Sequence, residues 1–141
     1  MTYELFIAST DAELDACFSA FQVLRPHLTQ DAFVPQVRRQ QAQSYQIVAL
    51  RQDGVVKSAA GYRLAEFLAW GKVLYIDDLT TLEEHRGKGF AGAVLDWLIQ
   101  HAKDHHCSAV HLDTGYTRHA AHRAYLRKGF QLNCHHMALP L

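Results

Sequence analysis

Arg86-Gly87-Lys88-Gly89-Phe90-Ala91 joins two basic side chains to two glycines, directly before a segment with helical periodicity. A glycine turn that opens a helix leaves backbone N–H groups unpaired, and the helix dipole adds partial positive charge there. Such a turn suits capture of an anion, best a phosphate or pyrophosphate. Arg86 and Lys88 reinforce the sign, and the glycines let the backbone approach the anion unobstructed. Upstream, Asp77 and Asp78 interrupt the strand-like run Val73-Leu74-Tyr75-Ile76-Asp77-Asp78-Leu79-Thr80-Thr81. A carboxylate inside an apolar strand is costly to bury unless it is hydrogen-bonded or functional. Alternation sends the two aspartates to opposite faces, so at most one should face a reacting group directly.

The glycines admit two readings. Gly87-x-Gly89-x-x-Gly92 matches the dinucleotide fingerprint, with Asp113 roughly 20 residues further on. That fingerprint needs its first glycine directly after the strand, whereas Leu82-Glu83-Glu84-His85-Arg86 intervene. A doubly wound fold also needs further strand–helix units, and only a short tail follows Asp113. A nucleotide-dependent oxidoreductase is therefore disfavoured.

Taken from Arg86, the same residues read Arg-x-x-Gly-x-Ala, which resembles the coenzyme A loop of the GNAT family of N-acetyltransferases. Ile76-Asp77-Asp78-Leu79 looks like that family's fourth strand. Ala121-His122-Arg123-Ala124-Tyr125-Leu126-Arg127-Lys128-Gly129-Phe130 looks like its final helix, with the tyrosine and the terminal Gly-Phe in their usual places. The resemblance is specific from about Val73 to Phe130 and topological before that.

The resemblance implies acetyl transfer from acetyl-CoA to an amine by direct attack in a ternary complex, and no cysteine lies in either motif. The amine must lose a proton, the oxyanion needs an N–H donor, and the departing thiolate leaves faster if an acid protonates it. Tyr125 matches the family's general acid. Its ordinary pKa of about 10 keeps it protonated at neutral pH. Asp77 matches the position where some members carry a basic glutamate. Aspartate is shorter, so a water relay is expected, and Asp78 or water alone remain alternatives for the base. Leu79, Thr80 and Thr81 match the segment whose backbone pairs with the pantetheine arm, and Arg86 through Gly92 (Gly87, Lys88, Gly89, Phe90, Ala91) match the pyrophosphate loop. Where many members carry a cofactor-contacting asparagine, seven residues before the tyrosine, this chain has Arg118. That arginine could reach a cofactor phosphate or an anionic substrate. A module that binds acyl-CoA without turnover is the non-catalytic alternative.

At 141 residues the chain is long enough for a single domain, 1–141, with a core of its own. Fourteen basic residues balance fourteen acidic ones, which gives no electrostatic footprint for nucleic acid. No apolar run reaches the length of a membrane span, and Met1-Thr2-Tyr3-Glu4 lacks a basic leader, so the expectation is a cytoplasmic protein without a membrane partner. Cys17, Cys107 and Cys134 are odd in number and widely spaced, as suits reduced thiols. His105-His106-Cys107 and His135-His136 invite a metal, but adjacent residues diverge and zinc motifs use spaced ligands, so none is expected.

The elements that must hold these residues follow from periodicity. Tyr3–Ser9 reads as a strand. The capping box Thr10-x-x-Glu13 opens a helix through about Phe21, and a second helix runs from Thr29 or Asp31 to about Gln41. Tyr45–Arg51 and Val55–Leu64 form a hairpin about Gln52-Asp53-Gly54, and Ala65–Lys72 reads as a loop or ragged strand end. After the Val73–Thr81 strand come a helix from Gly92 to Lys103, a strand Ala109–Asp113, a helix His119–Lys128 and a last strand Gln131–Leu139. The buried stripe of the first of these helices is Val94, Leu95, Leu98, Ile99 and Ala102. The order β-α-α-β-β-β-α-β-α-β predicts an α+β (mixed α/β) GNAT-like three-layer fold, a mostly antiparallel central sheet flanked by helices. The apolar end Met137-Ala138-Leu139-Pro140-Leu141 suggests an edge strand covered in a homodimer. Arg25, Arg38, Arg39, Arg63 and Arg118 incline the expected small-molecule amine substrate towards one with an anionic group.

Overall fold

The computed structural model describes residues 2–141, in two compact units that meet in sequence between His111 and Leu112. Strands β1 (Glu4–Ile7), β2 (Tyr45–Gln52), β3 (Val55–Phe67), β4 (Gly71–Thr81) and β5 (Ala109–Leu112) lie side by side in chain order, all in the first unit except Leu112, the last residue of β5. The pairs β1/β2, β2/β3 and β3/β4 are antiparallel. Asp53 and Gly54 both take positive φ, +53° and +75°, the twist that a two-residue hairpin needs.

The segment over 65–72, read as a loop or ragged strand end, is mostly strand. Ala65, Glu66 and Phe67 pair with Val73, Lys72 and Gly71, which leaves only Leu68-Ala69-Trp70 to turn the chain. Gly71 supplies a left-handed residue at φ +73°, while Trp70 packs on Phe67 and stacks on His111 at 4.0 Å. Side chains in contact across the turn hold the ladder together to its tip.

The capping box forms as expected: Thr10 Oγ1 accepts from Glu13 N, and the Glu13 carboxylate accepts from Thr10 N. The helix it opens is two helices, α1 (Asp11–Ala16) and α2 (Phe18–Leu24). At Cys17 the amide bonds Leu14 O at 3.0 Å, a tightened turn that interrupts the regular ladder without ending the apolar stripe. Next is α3 (Gln30–Gln41), and α4 (Phe90–Asp104) follows the glycine loop. Leu14, Cys17, Phe18, Phe21, Phe33 and Val37 cover one face of the sheet over Tyr45, Ile47, Ala49 and Ala59. On the other face Tyr62 meets Trp97 and His101 of α4 edge-on. Val94, Leu95, Leu98 and Ala102 form the buried stripe of α4, with Ile99 at its margin.

The second unit contains α5 (His119–Arg127), closed by Gly129 at φ +96°, whose N–H bonds Leu126 O. No strand follows: the segment expected to pair over Gln131–Leu139 is exposed and without regular structure. A strand exists through its ladder, and within this unit that segment has none. The mixed α+β class and the helix-flanked, mostly antiparallel sheet hold, while the element order loses its final strand and gains one helix.

Candidate active site

Gly61 of β3 pairs with Asp78 of β4, and Tyr62 pairs with Ile76, so Asp77 is an extra residue bulged out of the ladder. A bulge interrupts strict alternation. It brings Asp77 and Asp78 into one hydrogen-bonded cluster, against the expectation of opposite faces. Arg63 Nε donates to both oxygens of Asp77, at 3.2 and 3.0 Å, and its Nη2 lies 2.9 Å from Oδ2. Arg25, the residue that ends α2, donates to Asp78 Oδ1 at 3.0 Å and to the Asp77 carbonyl at 3.3 Å. The Tyr45 hydroxyl donates to Asp78 Oδ2 at 3.0 Å. Burial pushes the Asp77 carboxyl above its usual range, against the pull of Arg63. The site is thus a charge-balanced pair of carboxylates, 21% and 15% exposed, each matched by an arginine.

Below the bulge, Leu79, Thr80 and Thr81 continue β4 opposite Ala60, Ala59 and Ser58. Their hydroxyls are engaged inside the protein: Thr80 Oγ1 donates to Ala20 O at 2.8 Å, and Thr81 Oγ1 lies 2.9 Å from Ser58 Oγ. These threonines anchor the strand. A 3-10 turn, Glu83–His85, then leads into Arg86, exposed like Gly87, Lys88 and Gly89. Gly87 and Gly89 take φ of +75° and +86°, which only glycine adopts freely, and Gly89 is the N-cap of α4. The helix therefore begins at Phe90, two residues earlier than its apolar pattern indicates. No side chain caps it, and a Cβ added at Gly87, Gly89 or Gly92 would meet nothing within 4 Å. Phe90 is buried and fixes the loop from beneath, beside Ala91 and Gly92, which are half-buried. An uncapped helix start behind open left-handed glycines fits a pyrophosphate.

In the second unit, Tyr125 is the buried residue of α5, its ring 5.6 Å from that of Phe130. Burial raises its pKa, and the positive charge of Arg118 pulls the other way. Arg118 is exposed at the N-cap of α5, where its amide bonds Gly115 O at 3.1 Å. Among the described residues, no three His, Cys, Asp or Glu side chains gather as a metal site would require.

The model of the Acetyltransferase (GNAT) family matches residues 9–130. The chain belongs to the GNAT family. It is an acetyl-CoA-dependent acyltransferase. It is 29% identical over 102 residues to the uncharacterized N-acetyltransferase YhdJ of Bacillus subtilis (strain 168), covering 72% of each chain. In fold it is similar to a Trypanosoma brucei acetyltransferase, with TM-score 0.82 and 18% identity over 99% of this chain and 100% of that one. It is also similar to AAC(6')-Iy in complex with the bisubstrate analogue CoA-S-monomethyl-acetylneamine, with TM-score 0.85 and 14% identity over 100% and 99%.

The GNAT sheet, with neighbouring strands in chain order, is not the doubly wound arrangement that the dinucleotide fingerprint requires. Three of the arginines that pointed to an anionic acceptor are already engaged in this acetyltransferase: Arg25 by Asp78, Arg63 by Asp77 and Arg38 by Asp11. Their charge is neutralised within the protein, which removes most of the ground for that inclination. Sequence reasoning passed over Tyr45 and Gly61. The signal for both is one glycine inside a strand, which marks a close approach by another group.

Proposed function

We propose that this acetyltransferase moves the acetyl group of acetyl-CoA to a primary amine of a small molecule by direct attack in a ternary complex. The observation that carries the reading is the glycine loop, with its positive-φ residues open to solvent at an uncapped helix start. Arg86, Gly87, Lys88, Gly89, Phe90, Ala91 and Gly92 hold the pyrophosphate in this reading, and the backbone of Leu79, Thr80 and Thr81 receives the pantetheine arm. Acetyl-CoA supplies an activated thioester carbonyl. Asp77 takes the amine proton through a water, a role favoured by the upward push that burial gives its pKa. Tyr125 protonates the departing thiolate, and Arg118 keeps positive charge on the same helix.

A covalent detour through cysteine is disfavoured, since Cys17 is buried and its thiol is pushed up to about 12. Residues 1–141 act as one acetyltransferase domain in this proposal, supported by a family match that runs through both units. Three free cysteines suit the cytoplasm. No described helix is long and apolar enough to cross a membrane. A homodimer is proposed on the exposed apolar Leu132, Met137, Leu139 and Leu141, and light scattering at micromolar concentration tests it.

The deciding experiment offers the purified protein acetyl-CoA and a panel of amines: spermidine, glycine, 2-aminoethylphosphonate and an aminoglycoside. Thiol release is followed alongside calorimetric acetyl-CoA binding. Acetylation of at least one amine is expected. Tight acetyl-CoA binding with no turnover on any amine would overturn the assignment of the acceptor.

A further inference from the structure

Tyr45 occupies an unusual place for a residue at the start of a strand that is paired on both sides. It opens β2 opposite Arg63 of β3, and its ring runs across the sheet over Gly61 to reach Asp78 on the next strand. Glycine is required beneath it, because a Cβ at position 61 would fall inside the phenol. The side chain is 3% exposed, so its hydroxyl has lost water and needs a protein acceptor. It has one: Asp78 Oδ2 at 3.0 Å. Burial beside that carboxylate pushes the phenol pKa well above its usual value and holds the proton on the donor side.

The contacts continue beyond Asp78. Its other oxygen receives Arg25, and Arg25 reaches on to the carbonyl of the bulged Asp77. The Asp77 carboxylate is held by Arg63, whose guanidinium carbon lies 5.4 Å from the centre of the Tyr45 ring. Tyr45 therefore touches both supports of the bulge, Asp78 through its hydroxyl and Arg63 through its ring.

We propose that Tyr45 is a positioning residue for acetyl transfer, fixing Asp78 with its hydroxyl and Arg63 with its ring so that the bulge presents Asp77 to the acceptor amine. The proposal rests on the acetyl-transfer reading above and adds to it a residue that touches no reacting atom. Its natural partner is Gly61, which makes the crossing possible.

The test compares the wild type with Tyr45→Phe and Gly61→Ala, using the panel amine that turns over fastest. Tyr45→Phe keeps the ring under Arg63 and removes only the donor. Its kcat is expected to fall about tenfold, the worth of one hydrogen bond to a charged group, while KM for acetyl-CoA stays within about twofold. Gly61→Ala alters no functional residue but displaces the Tyr45 phenol, and the same split is expected. In an Asp78→Ala background, which leaves the hydroxyl without this acceptor, Tyr45→Phe should cost nothing further, because the two act in series. Thermal melts accompany each variant. Wild-type kcat in a folded Tyr45→Phe or Gly61→Ala protein would overturn the proposal, as would a loss that adds fully to that of Asp78→Ala. Failure of Tyr45→Phe to fold would assign the residue to stability instead. Absence of turnover in the wild type would remove the acetyl-transfer reading itself, a result distinct from all of these.

Discussion

Arg63 and Asp77 meet through both carboxylate oxygens, with Nε 3.2 Å from Oδ1 and 3.0 Å from Oδ2. Burial raises the Asp77 pKa, and Arg63 is the main influence that lowers it. Removing the guanidinium leaves burial and the charge of Asp78 opposed only by the weaker pull of Arg25, so the carboxylate gains a proton at a higher pH than before. If Asp77 is the base, the acidic limb of kcat/KM in Arg63→Gln moves to higher pH. A pH–rate profile of the two proteins checks this, and an unmoved limb would take the base role away from Asp77.

Gly89 sits at φ +86° as the N-cap of α4. A β-branched residue there pays about 1–3 kcal/mol in backbone strain and places methyl groups where a pyrophosphate would approach. With those methyl groups in the way, Gly89→Val is expected to weaken acetyl-CoA binding at least tenfold, about 1.4 kcal/mol, in a protein that still folds. Calorimetry measures it, and unchanged affinity would mean that the loop is not the coenzyme site.

Tyr125→Phe retains the ring packed on Phe130 and deletes the proposed acid. The expected result is a fall in kcat of about a hundredfold with little change in acetyl-CoA affinity. Full activity at neutral pH, with chemistry shown to be the slow step, would assign Tyr125 to packing alone.

Glu13 is held at a pKa of about 2, chiefly by hydrogen bonds from the backbone of Thr10 and Ser9. A carboxylate depressed in the folded state contributes stability above its unfolded pKa and loses it as pH falls towards the folded value. The stability difference between the wild type and Glu13→Gln is therefore expected to be constant near neutrality and to shrink between about pH 4.5 and 2. Urea titrations across that range measure it. A difference that grows on acidification would contradict the capping role.

The glycine loop, the capping box and the Asp53-Gly54 hairpin were legible in the sequence because each depends on residues adjacent in the chain. The break at Cys17 was hidden, since Leu14, Phe18 and Phe21 keep helical spacing straight through it. Strand alternation carries no sign of a bulge, because the extra residue is defined by what the partner strand skips, here between Gly61 and Tyr62. The pairing of Arg25 and Arg63 with carboxylates was not legible for a related reason. Their partners lie 53 and 14 residues away in sequence, and only folding shows that each charge is already matched. The apolar tail after Phe130 has strand-like composition, but composition does not supply a ladder.

The bulge at Asp77 also makes the chain tolerant of one specific deletion. Gly61 already pairs with Asp78 and Tyr62 with Ile76, so excising residue 77 would close the gap without shifting either register. Deleting Asp78 gives the same chain, whereas a deletion farther along β4 would shift part of the ladder by one residue and turn its side chains to the opposite face. The strand thus holds one residue that its scaffold could shed, and that residue is a carboxylate. Architecture and chemistry are separable at this position: the carboxylate proposed as the base could be gained or lost in a single genetic step with the register of β4 kept.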